Sequence, residues 1–209
     1  MNPRKSITIS ASVLSLILLT RFAVAQEQPA SPDAAQQAIL NIAQQVRKQI
    51  VTQSQYGVFD SIHFAIQGST VILRGQASRP TLKSSIERSV KKIEGVTKVQ
   101  NEIEVLPVSP NDDRIRAAVY ASIYRYPALQ RYSSNRGRPM GPSVARAAGG
   151  ITNDPPIGYH AIHIIVKNGN VTLTGVVDSD GDLALAEMRA NSVPGVFTVE
   201  NNLQVANKV

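Results

Sequence analysis

Slid along itself by 100 positions, the chain meets its own pattern. Ile62-His63 falls on Ile162-His163, and Val71, Leu73 and Gly75 fall on Val171, Leu173 and Gly175. Gly95-Val96 falls on Gly195-Val196, and Val99, Asn101 and Val105 fall on Val199, Asn201 and Val205. Ile66 and Ile103 meet the near-equivalents Val166 and Leu203. Spaced identities that need no gap mark a duplicated unit rather than shared composition. The chain is therefore expected to fold as two copies of one small motif, each checking the other.

Periodicity gives the elements of the motif. Ile62, Phe64 and Ile66 alternate up to Gly68-Ser69, and Val71 and Leu73 alternate after it; the second copy reads Ile162/Ile164/Val166, Asn168-Gly169, Val171/Leu173. Asn-Gly between alternating apolar runs predicts a hairpin, because both residues tolerate positive φ. A helix follows, with Pro80 in its first turn and Leu82, Ile86 and Val90 at helical spacing; its counterpart after Asp178 carries Ala186 and Ala190. Each copy closes on a strand, Val99/Ile103/Val105 and Val199/Leu203/Val205, with Val96 and Val196 out of phase. That mismatch predicts a bulge or a strand that begins late.

Another helix leads each hairpin, with apolar stripes Ile39/Ile42/Val46/Ile50 and Ile115/Val119/Ile123. These helices align at an offset of 73, so the second copy holds 27 extra residues, 132–158, between helix and hairpin. That insertion contains five Gly and four Pro, a composition expected of an irregular loop. Each copy reads α-β-β-α-β. The fold class is α/β (α+β): two tandem sandwiches over residues 35–107 and 111–207, each a three-stranded mixed sheet with two helices on one face.

Gly75 and Gly175 after the V-x-L strands, and Gly95-Val96 and Gly195-Val196 before Asn101 and Asn201, resemble the pattern of the BON (bacterial OsmY and nodulation) domain. The run Gly195-Val196-Phe197-Thr198-Val199-Glu200-Asn201-Asn202-Leu203 is similar to that family's closing strand. The resemblance implies a periplasmic or envelope module, tied to phospholipid surfaces or envelope proteins and without catalytic positions to carry over. This chain departs from the family in lacking a Cys for lipid anchoring and in carrying the insertion.

Composition narrows the setting. Arg4 and Lys5, an apolar run from Ile7 to Leu19, and Ala23-Val24-Ala25 make residues 1–25 read as a Sec-type signal peptide cut after Ala25. The run is too short and too broken by Thr8, Ser10, Ser12 and Ser15 to span a bilayer. The expected location is the periplasm, where no nucleic acid partner is expected and an anionic phospholipid membrane surface or an envelope protein is. With no Cys, disulfides, thiolate metal sites and a thiol nucleophile are excluded. The chain's net charge of +7 falls to +4 once residues 1–25 leave, and residues 125–160, with five basic and one acidic side chain, carry a surplus of that size by themselves.

Motifs for chemistry are thin. His160 and His163 have a helical ligand spacing, but they fall near a strand, where i and i+3 face opposite sides. Asp178-Ser179-Asp180-Gly181-Asp182 suggests a calcium loop, yet its Gly and its twelfth position (Arg189) do not fit one; a helix N-terminus explains it better. Gly141-Pro142-Ser143-Val144-Ala145 misses the second Gly of a nucleophile elbow, Ser89 and Lys92 match a serine–lysine pattern by spacing alone, and Glu102 and Glu104 share a strand face that an exposed polar surface explains as well. No catalytic residue, metal ligand or cofactor is expected.

The basic residues are the more informative group. Arg116, Tyr120 and Tyr124 form a stripe beside the core stripe of their helix, and Arg131, Arg136 and Arg138 continue it into the insertion. Tyr and Arg suit an anionic membrane interface, so these six are the expected lipid-binding residues. The function expected from them is non-enzymatic, peripheral association with anionic phospholipid in support of envelope integrity or stress tolerance. The rival expectation is a module that docks on an envelope complex through the basic Gly/Pro-rich insertion.

Overall fold

Strong turn residues between alternating apolar runs should close hairpins, and both copies form one. The computed structural model describes residues 32–134 and 158–206. In chain order these form α1 (Pro32–Val51), β1 (Ser61–Gln67), β2 (Thr70–Ala77), α2 (Pro80–Val90), β3 (Lys98–Asn101), β4 (Glu104–Val105), α3 (Pro110–Tyr124), a 3-10 turn (Pro127–Tyr132), β5 (Ile162–Lys167), β6 (Asn170–Val177), α4 (Asp180–Asn191) and β7 (Thr198–Val205). In the second hairpin Asn168 and Gly169 sit at φ 53 and 77, the mirror-image turn whose twist matches two antiparallel strands.

Each hairpin gains a parallel third strand through a helical crossover: β2 pairs with β3 and β4, and β6 with β7. Unit 1 is ordered β1-β2-β3 and unit 2 β5-β6-β7. The register of the third strand answers the phase mismatch. Leu73 faces Asn101 and Gln76 faces Glu104, so no residue is inserted across the break between β3 and β4. Strand β7 begins at Thr198, after Val196. Both closing strands simply begin late.

The core of unit 1 joins Ile42, Val46 and Ile50 of α1, Leu82, Ile86 and Val90 of α2, and Val71, Leu73 and Ala77 of β2. Both helices therefore cover one face of the sheet. In unit 2 the corresponding layer is Ile115, Val119 and Ile123 of α3, Ala186 and Ala190 of α4, and Val171, Leu173 and Val177 of β6.

The residues shared by the copies have structural duties. A Cβ on Gly75 (φ +108) would lie 2.0 Å from the Ser61 carbonyl oxygen, and one on Gly175 (φ +125) 1.9 Å from that of Ala161. The hairpin partner's backbone passes too close for any side chain there. Asn101 donates to the Lys83 carbonyl at 3.2 Å and to Glu87 at 2.9 Å while accepting from the Ile103 N–H at 3.3 Å. Asn201 repeats this with Leu183, Glu187 and Leu203 at 3.1, 3.0 and 3.3 Å. One amide thus pins the third strand to its helix in both units.

Start signals for the helices hold with one correction. Pro80 lies in the first turn of α2. On α4 the cap is Ser179, which accepts from the Asp182 N–H, rather than one of the aspartates of the 178–182 run.

Candidate functional site

An edge strand leaves backbone N–H and C=O groups without a ladder partner, and something must satisfy them. In a hairpin closed by a two-residue turn, the pair flanking the turn exchanges hydrogen bonds, so alternate residues of β5 (Ile162, Ile164, Val166) turn their backbone groups outward. Helix α3 lies along that edge. The Arg116 guanidinium donates to the Val166 carbonyl at 2.7 Å, and the Tyr124 hydroxyl donates to the Ile162 carbonyl at 2.5 Å and accepts from the Ile162 N–H at 3.1 Å. The spacing fits. Eight helical residues span about 12 Å and four strand residues about 13 Å, so the two ends of the stripe reach the two ends of the edge.

This arrangement corrects the lipid-facing role expected of Arg116, Tyr120 and Tyr124. All three are buried, with exposures of 1, 2 and 0%. Arg116 also pairs with buried Asp113, and Asp112 uses both carboxylate oxygens to cap the Asn168 and Gly169 N–H groups at 2.9 Å. The stripe seals a strand edge. Burial raises the Tyr124 hydroxyl pKa above its ordinary value.

The middle of the β5 edge is filled from the other unit. The Val58 carbonyl accepts from the Ile164 N–H at 2.7 Å, and Phe59 meets the Tyr120 ring edge-on at a centroid distance of 6.4 Å. Val58 and Phe59, 0 and 2% exposed, belong to the core of unit 2 although they precede β1 in unit 1. Buried Asp60 sets up this loop by accepting from the Gly57 N–H at 2.9 Å and the Ser78 N–H at 2.6 Å. Its carboxyl pKa is raised by burial, with those hydrogen bonds acting the other way.

The three histidines do not form a metal site. His160 Nδ1 donates to the Gly158 carbonyl at 2.9 Å, which leaves Nε2 to accept from the Tyr120 hydroxyl at 3.3 Å. His163 Nδ1 donates to the Gly57 carbonyl at 3.2 Å, and its ring lies 5.5 Å from that of Tyr56. Burial lowers the pKa of both rings, which favours the neutral form of His160 within unit 2 and of His163 against the loop of unit 1. His63 is exposed on β1. Among the described residues no group of His, Asp and Glu could hold a metal ion.

The remaining candidates resolve similarly. Asp178 and Asp182 receive Arg131, at 3.0 and 2.6 Å, where a calcium loop would place its ion. Arg131 is thus half-exposed but engaged; Arg136 and Arg138 lie outside the described residues, as do Gly141 to Ala145. Glu102 pairs with Arg74 and Glu104 with Lys167 of the other unit, so the two carboxylates serve separate cations. Ser89 accepts from Gln53 at 3.1 Å.

Between the units runs a half-open groove of about 810 Å³, with Arg47 and Val51 of α1, Phe64 of β1, Tyr56, Tyr159 and Val176 on its walls. Three of these, Val51, Tyr159 and Val176, are large apolar side chains left 55, 72 and 44% exposed. Among the described residues no carboxylate lines it. Tyr56 faces the Ile62 N–H from the groove wall, and its hydroxyl pKa is pushed up to about 12 by burial and by the nearby Asp60.

A family model described as the BON domain matches residues 39–107 and 146–207, well over half of the chain. The chain belongs to the BON domain family. BON domains are envelope-associated and linked to phospholipid binding. The second BON segment begins after α3, because the insertion separates that helix from its hairpin; the helix nonetheless packs on β5 and α4. Two solved structures are similar to this BON protein, both of CdsD, a structural protein of the type III secretion system of Chlamydia trachomatis. Its C-terminal domain is 12% identical with a TM-score of 0.27, covering 79% of this chain and 98% of that one. The other is 13% identical with a TM-score of 0.26, covering 80% and 94%. Comparison with curated proteins gave no match. Among the described residues, no helix is long and apolar enough to cross a membrane.

Proposed function

We propose that this tandem BON protein is exported to the periplasm by residues 1–25 and associates there, without catalysing a reaction, with anionic phospholipid in support of envelope integrity. The contact lies at the end of unit 2 from which the insertion departs, rather than on the α3 stripe. The observation that carries this reading is the surface beyond the C-terminus of α3. Tyr126 is 39% exposed with the Arg189 guanidinium 5.2 Å from its ring centroid, and Met188 beside that arginine on α4 is 60% exposed. Arg125 is exposed next to Tyr126, and Arg131, Arg136 and Arg138 follow in sequence. A tyrosine with an apolar body and polar tip, a methionine and clustered arginines suit the headgroup layer.

Each basic side chain near an anionic leaflet contributes about 1 kcal/mol, and the attraction fades within about 10 Å at 0.1 M salt. Binding should therefore be weak and salt-sensitive. In flotation with vesicles of mixed neutral and anionic lipid, the protein is expected to rise with the vesicles at low salt and to be released at high salt. Replacing Arg136 and Arg138 together by Ser should weaken binding about tenfold or more. Failure to float at low salt contradicts the reading.

A further inference from the structure

The two units carry the same strand edge and treat it differently. By the register of the first hairpin, Ile62, Phe64 and Ile66 of β1 turn their backbone groups outward just as Ile162, Ile164 and Val166 do in β5. Aligning the core stripes of α1 and α3 places Ala43, Arg47 and Val51 where unit 2 has Arg116, Tyr120 and Tyr124. The first set cannot seal an edge: Ala43 is short, and Arg47 and Val51 are exposed. Tyr56 serves Ile62, but among the described residues no hydrogen bond reaches the outward groups of Phe64 and Ile66. The open edge forms one wall of the inter-unit groove, which is continuous with the contact made by Tyr56, Gly57 and His163.

The sealed edge shows what the open one lacks. On β5 the slot opposite Ile164 is filled by the turn over residues 57–60, whose Val58 carbonyl takes the strand N–H and whose next residue, Phe59, packs against α3. We infer that the β1 edge is a docking site for an extended peptide segment of a partner protein, one that pairs with Phe64 and Ile66 and sets an aromatic side chain, followed by an acidic one, against Arg47. Backbone pairing supplies register and affinity, as in strand addition to an exposed edge. The Arg47 guanidinium can lie on an aromatic face and attract a carboxylate, and among the described residues lining the groove there is no acidic group to oppose one. A lipid tail would leave the outward N–H and C=O groups unanswered. This site is separate from the surface proposed for phospholipid.

The probe is a fluorescent hexapeptide with the sequence of residues 56–61, Tyr-Gly-Val-Phe-Asp-Ser, titrated into the full-length protein. Saturable one-to-one binding is expected, with slower amide exchange at Phe64 and Ile66. Binding should weaken about tenfold for the Arg47→Glu protein, and again for a peptide with Ser in place of its Phe. Arg47 is exposed, so its replacement leaves the fold intact. No saturable binding up to millimolar peptide overturns the inference, and so does binding indifferent to Arg47→Glu. Altered exchange at Ile164 instead would mean that the peptide displaces Val58, and protection of Phe64 by anionic vesicles but not by peptide would make lipid the occupant; either result also overturns it.

Discussion

Replacing Arg116 by methionine is expected to destabilise unit 2 by about 3–5 kcal/mol, because removing one partner of a buried ion pair strips the other buried charge of its counter-charge. Asp113 and Arg116 are each 1% exposed and pair with one another, and the substitution also strands the Val166 carbonyl at the strand edge. Methionine keeps the stem's volume, so the loss reports charge and hydrogen bonding rather than a cavity. Urea unfolding followed by circular dichroism measures it. Were Arg116 a lipid ligand, the same substitution would leave stability within about 1 kcal/mol of the original and reduce vesicle binding instead.

Truncating Phe59 to alanine should cost about 3–5 kcal/mol, the usual range for a large aromatic removed from a core. The informative part is where the cost falls. Phe59 precedes the first strand of unit 1 but packs with Tyr120 in the core of unit 2. The native protein is therefore expected to unfold in one cooperative thermal transition, and Phe59→Ala to split it, with unit 2 melting first. A uniform shift of a single transition by less than about 1 kcal/mol would show that Val58 and Phe59 do not join the units.

Much of the fold could be read from the sequence because its determinants are local and repeated. The 2-residue and 3.6-residue periods located hairpins and helices, and Asn168-Gly169 fixed the register of β5 on β6. The repeat singled out Gly75/Gly175 and Asn101/Asn201, and the structure gives them their duties, a close backbone approach and a strand-to-helix tie. The site was less legible. Arg116, Tyr120 and Tyr124 stand one residue round the helix from the core stripe, about 100° away, a flank that faces water or a neighbour according to what lies beside it. What lies beside it is a strand edge some 40 to 50 residues later and a loop from the other unit, contacts that no local pattern encodes. A signal was nevertheless present. At the same helical positions one copy has Ala43, Arg47 and Val51 and the other Arg116, Tyr120 and Tyr124, a contrast that is informative once the strand edges are compared. The groove had a fainter sign: Phe59 and Tyr159 match at the repeat offset, yet one is buried in a core and the other is 72% exposed.

That contrast, one strand edge closed and its twin open, is tested most directly by native-state amide exchange at two matched positions. The Ile164 N–H, bonded to Val58 and covered by α3, is expected to exchange only on large-scale opening of unit 2. The Phe64 N–H, outward on β1, should exchange at least about 100-fold faster under the same conditions. Equal protection of Phe64 and Ile164, or greater protection of Phe64, would contradict the account.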